Sequence, residues 1–361
     1  MPRLSFVLAA TFIGAAALAQ PAMAQNSYGG PQQVVNSQGT TLWVGGGVQF
    51  LSLPDIRFVG KGSAPGNIKR QKNSEADWLD AGGAVGGGLE SIPLGWWGGN
   101  RVTGAVKGFW ANVETDDTSA CRNQTCFVFD PAGTGFVFGP PTLQTRTNRD
   151  ADYWGAQAEV KLATGAPTEV KPTVYRNDYW IAGFDVRGID QDNHLRGRFH
   201  GNNIYNYKET LDTTYTGGFI GFGGEYSFGF IPGLKNVGGI YDRLGIRTFV
   251  NVKAGLYNAD TDYSGRFASP VGAGFNTALN KSNDELAFIG TVSLEARKQL
   301  GQRTSLSLWT DYEFISSVPQ MQYANTNHPT RIEDDSVFAS RTMLRLNIGL
   351  GSSQLYTDGG Y

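Results

Sequence analysis

The chain has 361 residues and 30 basic against 32 acidic side chains, a net charge of −2. That balance lacks the basic stripe a nucleic-acid binder needs, so no nucleic-acid partner is expected. Forty-nine glycines, 12% aromatic and only 17% charged residues suit a large apolar core. Yet mean hydropathy is −0.28, and past the N-terminus no run stays apolar for the roughly 18 residues of a helical span.

The N-terminus has a different character. Arg3 precedes an apolar run over 4–18, and Ala22-Met23-Ala24 forms a small-x-small cleavage site before Gln25. Residues 1–24 therefore read as a signal peptide. Cleavage removes Arg3 alone among the charges, leaving 30 − 1 = 29 basic against 32 acidic residues.

Beyond residue 40, period-two alternation recurs in segments long enough to cross a bilayer as tilted strands. The first three are 42–51, 79–90 and 101–113, and the first two are rich in glycine. In 153–162, Trp154, Ala156, Ala158, Val160 and Leu162 share one face, with Tyr153, Gln157, Glu159 and Lys161 opposite. Next, 180–186 sets Trp180, Ala182, Phe184 and Val186 against Asp185 and Arg187. The segment 215–230 follows, and then 244–258, where Val250, Val252, Ala254 and Leu256 oppose Arg247, Asn251 and Lys253. In 286–298, Phe288, Val292 and Leu294 oppose Glu295 and Arg297. In 304–314, Leu306, Leu308, Tyr312 and Phe314 oppose Asp311 and Glu313, and 337–350 closes the series. Strands apolar on one side and polar on the other average to a neutral hydropathy, which fits a closed antiparallel transmembrane β-barrel.

The connections add a second pattern. Segments 52–78, 114–150, 189–214, 258–285 and 315–336 are long, and those between them are shorter, down to the turn at 299–303. Long loops on one side with short turns on the other, and an even strand number, characterise such barrels. Aromatics near the strand ends read as girdles: Trp78, Trp96, Trp97, Trp110, Trp154, Trp180 and Trp309, with Tyr153, Tyr179 and Tyr312.

In these features the chain resembles the Gram-negative outer-membrane β-barrel superfamily, which includes opacity-like and pore-forming surface proteins. The resemblance is one of architecture and covers 41–350. It implies an all-β up-and-down meander of ten strands, with twelve as the alternative. It also implies a periplasmic segment at 25–40, a C-terminal tail at 351–361, and outer-membrane lipid as surroundings. Members usually close on an aromatic residue. Tyr361 matches in type, while the alternation before it does not, so the register of the last strand stays open.

The polar faces place charges of both signs in the lumen: Arg101, Lys107, Glu159, Lys161, Asp185, Arg187, Glu225, Arg247, Lys253, Glu295, Arg297, Asp311, Glu313, Arg341 and Arg345. Either they interlock as a structural plug, or they line a polar channel that passes small solutes by weak diffusion. A surface-binding role is the alternative. It would act through 114–150, where Cys121 and Cys126 predict a disulfide in an exported protein. There Phe127-Val128-Phe129 and Phe136-Val137-Phe138 flank a Pro/Gly turn as a hairpin. A rim protease of the omptin type would need an Asp pair beside an Asp-His pair. Asp116 with Asp117, and Asp192 with His194, match thinly, so no catalytic activity is expected. No cofactor or metal is expected either, because His194, His200 and His328 are the only histidines.

Overall fold

A computed structural model of the chain describes residues 39–62, 68–70, 80–98, 100–121, 125–129, 136–139, 143–164, 168–171, 174–227, 246–270, 275–301, 303–323 and 330–350. The predicted signal peptide, the 25–40 segment up to residue 38, the 351–361 tail, Trp78 and His328 lie outside these residues. Fifteen strands occur among the described residues: β1 Thr41–Leu51, β2 Gly60–Gly62, β3 Ile68–Arg70, β4 Ala81–Trp97, β5 Asn100–Ala120, β6 Thr125–Phe129, β7 Phe136–Gly139, β8 Gln144–Ala163, β9 Thr168–Lys171, β10 Val174–Phe199, β11 Asn202–Ser227, β12 Ile246–Ser269, β13 Phe275–Gln299, β14 Thr304–Gln322 and β15 Arg331–Gly349.

Ten of them close into one antiparallel meander. The order β1-β4-β5-β8-β10-β11-β12-β13-β14-β15 returns to β1, whose register with β15 runs from Thr41↔Gly349 to Leu51↔Ala339. The barrel therefore has ten strands and not twelve. Past the end of β15 at Gly349, Leu350 donates its N–H to the Thr40 carbonyl at 2.8 Å. Among the described residues no helix is long and apolar enough to cross a membrane.

Outward-facing Val44, Val85, Val106, Val160, Phe184, Ile220, Val252, Leu256, Phe288, Leu308 and Leu344 are all exposed. They form the lipid-facing belt. On β15 it runs from Phe338 to Leu350, about twelve steps. At ~3.3 Å per residue and a tilt of ~40° that is about 30 Å, the thickness of a bilayer's hydrocarbon.

The strands do not stop at the belt. Much of what the sequence suggests as long loops at 114–150, 189–214 and 258–285 is strand. β10 and β11 run paired to a tight turn at His200 and Gly201, with φ of 46° and 83°. Two consecutive positive φ values define the turn whose twist matches a two-residue hairpin, and glycine at the second accepts them without strain. Along β12 the alternation inverts. From Val250 to Leu256 the outward side chains are apolar, with Asn251 and Lys253 inward. From Asn258 to Arg266 the outward ones are Asn, Asp, Asp, Ser and Arg, while Tyr257, Ala259, Tyr263 and Phe267 are buried inside. A barrel that leaves the bilayer needs water-compatible walls and gains a hydrophobic core of its own.

Outside, Trp110 and Trp154 are cross-strand partners at the upper edge of the belt, and exposed Trp96, Trp97 and Trp180 stand at the lower edge. Trp309, Tyr153 and Tyr179 are not girdle residues. They sit on the inward parity of their strands and are buried in the lumen. One register step above Trp154, Asp152, Asp190, Asp212 and Asp262 face one another across four adjacent strands.

The 114–150 segment keeps its predicted hairpin. β6 pairs β7 with Phe127↔Phe138, and β6 also pairs β2, giving a separate four-stranded sheet in the order β3-β2-β6-β7. Cys121 and Cys126 are disulfide-bonded at its base.

Candidate functional site

The lumen is the candidate site, because strand parity directs most of the molecule's buried charges into it. Glu159 on β8 gathers three lysines, with Lys253 Nζ at 2.6 Å and Lys107 and Lys161 Nζ each at 3.4 Å. Beside it, Arg187 bonds Asp185 at 2.6 Å and Glu313 at 2.8 Å, and donates to the Tyr153 hydroxyl at 3.1 Å. Tyr153 in turn donates to Glu313 at 2.5 Å. Arg341 pairs with Asp311 at 2.8 Å. Nearer the lower edge of the belt, Arg297 reaches Glu295 at 2.8 Å and Glu90 at 3.3 Å, and Arg345 reaches Glu90 at 3.6 Å. Arg247 pairs with Glu225 at 2.7 Å.

Aromatic rings fill the space between these clusters. The Arg341 guanidinium lies 3.4 Å above Phe109, and Arg345 lies 3.3 Å from Trp309 and 3.9 Å from Trp43. Planar, weakly hydrated guanidinium groups stack on aromatic faces as well as pairing with carboxylates. Glycines of β1 and β4 make the room. A Cβ on Gly45 would stand 2.9 Å from the Arg345 Cγ, and one on Gly86 would stand 3.2 Å from the Trp43 ring. Among these side chains lies a cavity of about 30 Å³, lined in part by Lys107, Arg187, Lys253 and Arg341.

Above the charged clusters the lumen turns apolar. Leu51, Leu53, Val113, Ile189, Tyr215, Ile289, Ile315 and Val337 form one buried layer. Over it the chain after β1 turns inward. Phe58 stacks on Tyr207 at 4.6 Å, meets Tyr323 edge-on at 5.0 Å, and lies 5.4 Å from Tyr205. Arg149 donates to the Pro54 carbonyl at 2.7 Å, anchoring that segment. Buried Glu209 accepts hydrogen bonds from Tyr207, Tyr323 and Asn193.

Fourteen of the fifteen charges predicted from strand parity as lumen residues, all but Arg101, thus meet in ion pairs. Arg101 is half-buried at the lower mouth and joins none of these clusters among the described residues. Sequence reading missed Glu90, which ends a glycine-rich stretch whose residues carry no polarity to set the phase. It also missed Trp43 and Trp309 as partners of arginine.

The residues weighed for protease chemistry stand elsewhere. Asp192 and His194 lie on the outward parity of β10, above the belt. The His194 ring bonds Asn206 and receives Arg196. Partial burial, with Arg196 and Lys208 nearby, holds its imidazole below the usual value. Asp116 also faces outward. It accepts from Arg146 Nε at 2.9 Å, and this hydrogen bonding keeps its carboxyl below the ordinary range. Asp117 is the next residue on β5 and so takes the opposite parity.

No family model and no curated protein matches the chain. Among solved structures, the outer membrane protease OmpT from Escherichia coli aligns at 8% identity and a TM-score of 0.44, over 87% of this chain and 97% of that one. A Pseudomonas aeruginosa FadL homologue aligns at 5% identity and a TM-score of 0.26, covering 88% and 92%. An anion-selective porin from Comamonas acidovorans aligns at 10% identity and a TM-score of 0.16, covering 86% and 98%.

Proposed function

We propose that the chain is a sealed outer-membrane barrel, exported by its N-terminal signal and serving as a structural, surface-exposed membrane protein. One observation carries this reading: the lumen is occupied along its height. Interlocked ion pairs fill the membrane level, an apolar layer lies above them, and Phe58 with its aromatic neighbours fills the outer end. A diffusion pore needs a continuous wet path, and about 30 Å³ holds a water molecule or two. The test is conductance in planar bilayers. The sealed barrel gives no stepwise current across salts and voltages, and discrete steps would overturn it in favour of the porin-like reading.

A binding role for the outer hairpin has its own support. Among the described residues β7 pairs on one side only, with β6, so its other edge offers free backbone groups. Such an edge accepts an extended peptide as an added strand. Deleting 121–140 would then abolish binding of cells or ligands while the barrel still assembles. The reading assigns no catalytic step, and His194→Ala is expected to leave any peptidase activity unchanged.

A further inference from the structure

The membrane-level clusters do not balance. Three lysines and four arginines face six carboxylates: Glu90, Glu159, Asp185, Glu295, Asp311 and Glu313. The charge left over is one positive unit in a space with little water, where an uncompensated charge is costly.

Hydrogen bonding is unbalanced in the same direction around the 30 Å³ cavity. Arg341 is 3% exposed and lines it, and its Nε and Nη1 have no hydrogen-bond partner; neither has the Nε1 of Trp43, 1% exposed, on the same wall. Against these three donors the lining offers one carboxylate oxygen without a partner, Asp311 Oδ1. Just below, Arg345 adds two more donors in the same condition. Buried donors are nearly always satisfied, so a species that accepts several hydrogen bonds and donates none fits best. It should carry one negative charge and fit a space that holds one or two waters.

We propose that this cavity holds a single monovalent anion of halide size, bound by Arg341 and Trp43, as an integral part of the barrel. A sulfate dianion would overshoot the single surplus charge. A water molecule would supply acceptors but leave the charge, and it would spend its own protons on a wall that has one acceptor to offer.

The experiment uses full-length mature barrel refolded separately in chloride and in gluconate at equal ionic strength. Chloride should raise the unfolding midpoint by about 5 °C once it exceeds its dissociation constant a hundredfold. Lys253→Gln removes the extra charge yet leaves Glu159 paired with Lys107 and Lys161, so this variant should unfold alike in both salts. Crystals grown in bromide should show one anomalous peak in the lumen, in contact with Arg341 and Trp43. Equal midpoints for the wild type, or ordered water with no bromide signal, would overturn the proposal. Either result would mean that proton loss within the cluster removes the charge.

Discussion

Arg187→Met separates a sealed lumen from a wet one without measuring transport. Arg187 is buried, with side-chain exposure of 6%, and holds Asp185 at 2.6 Å, Glu313 at 2.8 Å and the Tyr153 hydroxyl at 3.1 Å. In a water-filled channel the two carboxylates would be solvated after the change, and the loss would be the ~0–1 kcal/mol of an exposed pair. In a filled lumen they stay buried. Asp185 keeps only the Tyr257 hydroxyl at 3.3 Å, and Glu313 keeps Tyr153 with Arg341 at 3.9 Å. Removing one partner from such a pair costs about 3–5 kcal/mol. Urea unfolding of the barrel in lipid vesicles, followed by tryptophan fluorescence and heat-modifiable gel migration, reads the difference. Neutralising Asp185 in the same chain, with Asp185→Asn, should recover much of the loss, because it removes the carboxylate left with the Tyr257 hydroxyl alone and restores the charge balance of the cluster. A loss below about 1 kcal/mol for Arg187→Met alone would refute the sealed lumen.

Three further outcomes follow from the same geometry. Phe58→Ala empties an aromatic box and should cost about 3–5 kcal/mol; bilayer recordings should stay silent, because the ion-pair layer below still blocks the path. Replacing Cys121 and Cys126 by Ser should cost about 2 kcal/mol, the value for a short closed loop, with unchanged outer-membrane fractionation and faster proteolysis near the hairpin. Asp190 faces Asp152 and Asp212 directly across the sheet, so Asp190→Asn should stabilise by about 0.2–1 kcal/mol at pH 7. Burial and the flanking carboxylates push the Asp190 carboxyl up to about 6, so the gain should shrink as pH falls below about 6 and be gone near pH 4; a gain that persists at pH 3 would point to packing instead.

Period two in the sequence determined the ten strands and which side chains share a face. From Val250 to Leu256 the outward residues are apolar because lipid surrounds them, and that contrast is written in the residues themselves. The same alternation continues from Asn258 to Phe267 with its sign reversed, polar outside and aromatic inside. Read for membrane-crossing segments alone, it passes for a polar loop, and so the height of the barrel was lost. Parity also sent Glu159, Arg187, Asp311 and Arg341 to one lumen. It left open whether they interlock or line a channel, since that depends on barrel radius and on what enters from the ends. The tertiary structure pairs these residues, and the proposal of a sealed lumen rests on that pairing. Closure on ten strands brings Arg187 on β10 to Glu313 on β14, and inward glycines let Trp43 and Trp309 sandwich Arg345. The segment carrying Phe58, read as a polar loop, turns inward because Tyr205, Tyr207, Phe267 and Tyr323, all distant from it in sequence, form the surface it packs on. Local pattern specifies which way a side chain points, and only closure of the sheet specifies what it meets there.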